Sequence, residues 1–213
     1  MIEIKETIVD GFSVAIRGMR NPLNSWLKSD SFWDYTSPEY VIGENDLKLM
    51  KNLAKAGSDH GKFLRMINVT LDITAPLYWW KEFDTYKVGT TANSCSTMHK
   101  IHAKKFTLDD FSCEHLQGVP LSLLEYHLVP ELNNNRDKFI ETKDKKYWWQ
   151  MIQLLPSSYN QLRTVQLNYQ VIKTMYFARR NHKLDEWLDF CKWAESLPYF
   201  KEICIQEDVN DRK

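Results

Sequence analysis

The sequence predicts an α+β fold, with a small, mainly antiparallel sheet flanked by helices, long helices toward the C-terminus, and a single domain over residues 1–213. Three observations carry this reading. Ile67, Val69, Leu71 and Ile73 alternate with Asn68, Thr70 and Asp72, the period of a half-buried strand. Runs of helical period lie before and after that strand, each beside capping residues. Eight Trp, ten Tyr and ten Phe against only seven Gly and seven Pro describe a dense aromatic core and exclude a disordered or low-complexity chain.

Taken in order, Ile2–Met19 carries two short apolar runs, IEIKETIV and FSVAI, on either side of Asp10-Gly11. This pattern predicts two strands joined by a tight Asp-Gly turn. From Asn21 to Tyr40, Pro22, Pro38, Trp26, Trp33 and several serines show no firm period, which predicts an irregular segment with a short helix near Ser25. Asn45 stands as the cap of a helix carrying Leu47, Leu49, Met50 and Leu53, with Gly57 placed to end it. The alternating strand then runs into Pro76, suited to the first turn of a helix that extends to about Tyr86 and buries Tyr78, Trp79 and Trp80.

Gly89, Thr90, Thr91, Ala92 and Asn93 break the apolar period, and a further helix is expected from Ser94. Ile101–Lys146 is helix-prone but interrupted at Gly118, Pro120, Pro130 and Asn133–Asn135, with a polar loop near Glu141–Lys146. Ser158 reads as the cap of a long helix holding Leu162, Val165, Ile172, Met175 and Tyr176. A last helix from about Leu184 buries Trp187, Leu188, Cys191 and Ala194, ends before Pro198, and is followed by a charged tail.

The stretch from Tyr78 to Lys100 is the candidate site. A helix beginning at Ser94 presents Asn93, Ser94 and Ser96 as amide and hydroxyl donors beside its N-terminus, a seat for phosphate or carboxylate; the same residues also serve as an ordinary cap. On that helix Cys95, His99 and His102 share one face, with His115 two residues after Cys113. Sulfur with imidazole is a zinc ligand set, and a face packed on a neighbour gives the same spacing. The four cysteines are scattered, so reduced thiols are expected.

Balanced charge, 28 basic against 28 acidic residues, excludes a global basic field for DNA, RNA or an anionic membrane and leaves a small anionic ligand open. No apolar run reaches membrane-spanning length and the N-terminus lacks a signal peptide's apolar segment, so a cytoplasmic protein is expected. The aromatic count exceeds what one small core hides, which predicts self-association.

The region Tyr86–His99 resembles the signature of the flavin-dependent thymidylate synthases, the ThyX family, R-H-R-x-x-S-x-N-E-x-S-x-R-Y. Thr91, Asn93 and Ser96 fall on its first Ser, its Asn and its second Ser. Tyr86, Lys87 and Val88 stand in place of R-H-R, Ser94 in place of Glu, and Met98 and His99 in place of R-Y. The family's upstream order, a helix with a glycine end, a histidine turn and a strand, matches Asp46–Gly57, His60 and Val69–Leu71. Downstream, Leu155-Pro156, Asn168, Arg179 and Trp187 fall on the family's frame, while Gln170 replaces an Arg, Thr174 an Asn that contacts flavin and Ile152 an Arg that helps bind nucleotide.

The resemblance implies a ThyX-like fold assembled as a homotetramer with shared sites. It further implies chemistry in which FAD, recharged by NADPH, works with methylenetetrahydrofolate to methylate C5 of deoxyuridylate (dUMP) without a cysteine nucleophile, so Cys95 is not cast as one. Carried over position by position, Thr91, Asn93, Ser94, Ser96 and Arg179 would contact the nucleotide, with Arg179 polarising the pyrimidine. Tyr86, Lys87, Val88, Asn168 and Thr174 would face the flavin. Lys87 or Lys100 would replace the missing phosphate partner. By itself, Arg179 is equally a surface residue at a helix end. The implied function is that of a divergent ThyX-like protein binding a pyrimidine nucleotide and flavin; if active, it is a thymidylate synthase-like methyltransferase. The alternative is a catalytically inactive nucleotide-binding or interaction protein.

Overall fold

A computed structural model describes residues 2–37 and 39–205. In chain order these form β1 (Glu3–Asp10), α1 (Phe12–Arg20), 3₁₀ turns at Asn21–Leu23 and Trp26–Lys28, β2 (Phe32–Asp34), β3 (Glu39–Val41), α2 (Glu44–Lys55) and a 3₁₀ stretch at Gly61–Met66. There follow β4 (Asn68–Pro76), α3 (Leu77–Phe83), β5 (Thr91–Ser94), α4 (Val119–Leu123), a π turn at Leu124–Leu128, α5 (Val129–Thr142) and α6 (Lys145–Leu154). The chain continues through β6 (Asn160–Asn168), α7 (Tyr169–Arg179), α8 (Asp185–Ser196) and a π turn at Lys201–Ile205. The predicted α+β class is what forms: one sheet has the order β1-β4-β6-β5, and β2 pairs antiparallel with β3. Among the described residues no helix is long and apolar enough to cross a membrane. Of the charged tail expected after Pro198, Lys201–Ile205 instead forms a π turn that buries Ile203 and Cys204, and 206–213 lie outside the described residues.

The chain divides into two compact units. The first draws on Met1–Lys5, Asp72–Thr85 and Ala92–Thr164. One cluster of its core joins Ile101, Phe106, Phe111, Leu124, Leu132 and Met151. The short helix α3 buries Trp79, Trp80 and Phe83, with the two indoles edge to face at 4.9 Å. It ends at Phe83, three residues earlier than predicted, and Tyr78 is only half buried. Trp80 is fixed at both ends of its chemistry: Nε1 donates to the Gln161 carbonyl at 3.0 Å, and the Arg163 guanidinium lies 4.2 Å over its ring while pairing with Asp84 at 2.8 Å.

The predicted interruptions between Ile101 and Lys146 are mostly absent. Gly118, at φ 58°, starts a helical run that continues through the π turn into α5, with Pro120 inside its first turn, where a missing N–H costs little, and Pro130 directly after the π turn. The Asn133–Asn135 run is helical because its amides have partners: Asn133 accepts from Phe106 N at 2.8 Å and donates to Phe106 O at 2.9 Å, and buried Asn135 donates to the Glu131 carbonyl. The polar loop reduces to a turn at Lys143–Asp144, where the Asp144 carboxylate caps α6 through Lys146 N.

The second unit draws on Glu6–Leu71, Tyr86–Thr91 and Val165–Lys213. Here FSVAI is not a strand. Phe12, Ala15, Ile16 and Met19 are buried at spacings of three and four, so the alternation in five residues is the start of helix α1. Gly11 precedes it at φ 92°, and a Cβ there would sit 2.1 Å from the Met66 carbonyl oxygen, so the Asp-Gly pair turns strand into helix.

Helix α2 is capped otherwise than predicted. Gly43 is its N-cap, and the Asp30 carboxylate, remote in sequence, accepts from Asn45 N and Asp46 N at 2.9 and 3.1 Å. Its far end follows expectation, with Gly57 at φ 102°, and Lys173 Nζ donates to the Ala54 carbonyl at 2.9 Å. Asp46 itself is fully buried and gathers Arg20 Nε at 2.6 Å, the Ser29 and Ser31 hydroxyls at 2.6 and 2.7 Å, and the N–H groups of Asp30 and Ser31. This network anchors the irregular segment ahead of the β2–β3 hairpin, in which Trp33 faces Tyr40 across the strands.

The long helix predicted from Ser158 is half strand. Gln161, Val165 and Leu167 point inward at even spacing along β6, and Asn168 then starts α7 by accepting from Val171 N at 3.1 Å. Helices α7 and α8 bury Tyr169, Ile172, Met175 and Tyr176, and Trp187, Phe190, Cys191 and Ala194. Leu188, predicted to be buried, is only half buried, and Phe190 takes its place in the core.

Candidate functional site

The predicted site residues divide between the two units. Tyr86, Lys87, Val88, Thr91, Asn168, Thr174 and Arg179 belong to the second, and Asn93, Ser94 and Ser96 to the first.

In the second unit the structure joins Tyr86, Arg179 and Trp187. Arg179 is half buried at the end of α7. Its Nε donates to Tyr86 Oη at 2.9 Å, and its guanidinium lies 4.8 Å over the Trp187 ring and 5.6 Å over Tyr86. A planar cation between two aromatic faces is held in one orientation, unlike a solvated arginine at a helix end. Trp187, read from the sequence as core, is thus also the seat of this cation.

Gly89 packs beside Asn168 and Val171: a Cβ would lie 3.0 Å from Asn168 Nδ2. Asn168 spends its side-chain oxygen on the α7 cap, and Thr174 donates its hydroxyl to the Gln170 carbonyl at 3.0 Å within its own helix. Lys87 and Val88 are exposed, as is Thr91 on β5.

In the first unit no α-helix begins at Ser94. Asn93 and Ser94 are exposed residues of β5, and Cys95 N donates to the Leu162 carbonyl at 2.9 Å. The chain then closes a single turn around Ser96, whose Oγ accepts from Met98 N at 3.2 Å and His99 N at 3.0 Å. Small polar residues here favour side-chain-capped turns over helix interior, which is why the expected helix gives way. The zinc arrangement falls with it. Cys95, His99 and His102 have no helical face to share, His102 packs edge-on against Phe139 at 4.9 Å, and among the described residues no group of three or more His, Cys, Asp or Glu side chains could hold a metal ion.

The Ser96 turn opens on a cavity of about 740 Å³. Its lining includes Ser96, Thr97, Lys100, Lys104, Asn160 and Gln161, with Asp109 and Asp110 opposing the two lysines. Lys104 pairs with Asp110, and exposed Lys100 lies four residues after Ser96. Burial, with the negative charge of Asp110, pushes the pKa of the Tyr159 phenol at this wall up. Of these residues the sequence pointed only to Ser96 and Lys100. Asn160 and Gln161 were hidden by the helix assignment, although N-Q-L-R-T-V-Q-L carries the two-residue period that places Gln161 inward.

The hydroxyl geometry defines what the turn can do. A serine oxygen has two acceptor positions and one donor. Met98 and His99 take both acceptor positions, so the proton is the group Ser96 has to offer, beside a lysine, to an anion.

No protein-family profile matches the sequence, and no curated protein matches it. Among solved structures, Helicobacter pylori thymidylate synthase X (ThyX) with FAD and dUMP is similar at a TM-score of 0.69 and 16% identity, covering 96% of this chain and 97% of that one. A second structure of the H. pylori flavin-dependent enzyme, also complexed with FAD and dUMP, gives 0.68 at 16% identity over 95% and 97%. This chain therefore has the ThyX fold over nearly its whole length.

Proposed function

We propose that this chain is a divergent ThyX-like protein that binds a pyrimidine nucleotide, with the Ser96 hydroxyl and Lys100 meeting its anionic end in the 740 Å³ cavity. The observation that carries the reading is the Ser96 oxygen, saturated by two backbone N–H groups and left with its proton to donate. The likeness to solved proteins that hold dUMP supports it. Arg179, oriented by Tyr86 and Trp187, is proposed independently as a second nucleotide-contacting residue, because a fixed guanidinium suits the carbonyls of a pyrimidine. Association into a tetramer is part of the same reading.

The residues at the family's flavin-facing positions fit FAD poorly. Tyr86 directs its hydroxyl to Arg179, Val88 offers no polar side chain, Asn168 and Thr174 bond within α7, and Lys87 supplies the one charge. A reduced flavin needs oriented positive charge near its ring, and one exposed lysine does not replace a guanidinium fork. No catalytic step through flavin is drawn, and a nucleotide-binding role without methyl transfer is the reading these side chains favour.

The test is a dUMP titration of the wild type, Ser96→Ala, Lys100→Gln and Arg179→Ala, with a thermal melt of each and added FAD followed by fluorescence. Saturable dUMP binding is expected, weakened by about 1–3 kcal/mol in Arg179→Ala and by about 0.5–1.5 kcal/mol in the other two. FAD should stay fluorescent. If Ser96→Ala lowers only the melting temperature while dUMP affinity stays at the wild-type value in all three variants, the site is not there; a flavin spectrum in the purified protein would restore the enzyme reading.

A further inference from the structure

The second unit contains a cavity of about 620 Å³ that the nucleotide reading does not use. Five aromatic residues line it, Phe12, Trp33, Tyr40, Trp193 and Tyr199, together with Asp10, whose carboxylate accepts from Asn68 Nδ2 at 3.3 Å. No lysine, arginine or histidine is among its lining residues.

The lining side chains are held largely by contacts with one another. Trp33 meets Tyr40 edge to face at 5.3 Å, and Trp193 Nε1 donates to Thr7 Oγ1 at 3.1 Å. Tyr199 accepts at its hydroxyl from Ile42 N at 3.3 Å and packs edge-on against Phe12 at 5.9 Å. Its backbone is held at φ 56°, a region a bulky residue enters only when its surroundings impose it, and the preceding Pro198 carbonyl is anchored by Tyr169 Oη at 2.6 Å. An apolar cavity of this size with preset aromatic walls has the form of a ligand site.

Its electrostatics select the ligand. Aromatic faces carry negative potential, Asp10 adds a full negative charge, and no basic side chain balances them, so an anion such as a nucleotide phosphate is disfavoured. Phe12 and Ser13, the first residues of α1, are among the lining residues, and the partial positive charge of that helix end is opposed by Asp10 two residues before the helix starts. We propose that this cavity binds an organic cation, a methylated ammonium group on an apolar body, with the ammonium against the indole and phenol rings and Asp10 as its counter-charge.

Choline, its neutral carbon isostere 3,3-dimethylbutan-1-ol, and the anion 3,3-dimethylbutanoate separate charge from shape. In calorimetric titrations of the full chain, choline should bind about tenfold tighter than the alcohol, and the anion more weakly than either. Trp33→Leu, at a residue 51% exposed and so of little weight in folding, should weaken choline about fivefold and the alcohol less than about twofold. The isosteric Asp10→Asn should cost choline about threefold without moving the melt. The proposal is overturned if the alcohol or the anion matches choline, if neither variant changes choline affinity, or if no choline heat is seen up to about 50 mM.

Discussion

Replacing Asp46 by alanine should be among the most damaging single changes in this chain. The carboxylate is fully buried and accepts five hydrogen bonds, from Arg20 Nε, two serine hydroxyls and two backbone N–H groups. Alanine leaves Arg20, itself only 4% exposed, as a buried cation held by the neutral Ser25 carbonyl at 3.2 Å in place of a carboxylate. Breaking a buried pair from one side costs about 3–5 kcal/mol, which for a chain of this size lowers Tm by roughly 6–20 °C. Paired removal, Arg20→Met with Asp46→Leu, should cost less than the sum of the two single changes by about 1–3 kcal/mol, because no charge is then stranded.

The same carboxylate has a pH signature. Burial alone would raise its pKa, but the hydrogen bonds from Ser29, Ser31, Arg20 and the Asp30 N–H outweigh burial and hold it below the ordinary 3.8. A depressed folded-state pKa means that its stabilisation is complete above the unfolded value and is lost as pH falls through the folded one. Melts recorded from pH 7 down through the acid range should therefore show the wild type losing its advantage over Asp46→Ala only below about pH 4. Circular dichroism with urea titration measures both effects. An Asp46→Ala loss under about 1 kcal/mol, or an advantage already gone by pH 6, would refute the reasoning.

Asn133→Ala removes a reciprocal pair of bonds to the Phe106 backbone, at 2.8 and 2.9 Å, and should cost about 2 kcal/mol in a urea titration; an unchanged midpoint would mean water replaces the amide. Gly11→Ala meets both a positive φ and a carbonyl oxygen 2.1 Å from the new Cβ, so a loss of more than about 1 kcal/mol is expected and a stabilised protein would contradict the turn geometry.

Legibility varied with the length of the pattern. The strand Asn68–Pro76 was plain because four inward residues alternate without a break, and α2 ends at Gly57 as its sequence suggests. FSVAI failed because five residues satisfy both periods, and only Met19, a turn further on, reveals the helix. The Asn133–Asn135 run failed because asparagine favours loops unless its amide has a distant partner, and Phe106 lies 27 residues away. At the candidate site, Ser96 was legible by residue type but not by role. Its hydroxyl oxygen accepts from Met98 N and His99 N in a single turn, where the sequence suggested the first turn of a helix. The Arg179–Tyr86 bond joins residues 93 apart, beyond any local pattern.

The π turn at Leu124–Leu128 ties two kinds of sequence change together. Val129 N reaches back five residues to the Leu124 carbonyl, and the widened turn takes up the place where the Pro130 ring would otherwise press on the carbonyl of Tyr126. Deleting one residue from that stretch would restore regular winding and bring the ring onto the carbonyl. A one-residue gap here and the loss of Pro130 should therefore be inherited as a pair, and a chain carrying the gap with the proline retained would begin a kinked helix instead of a straight one.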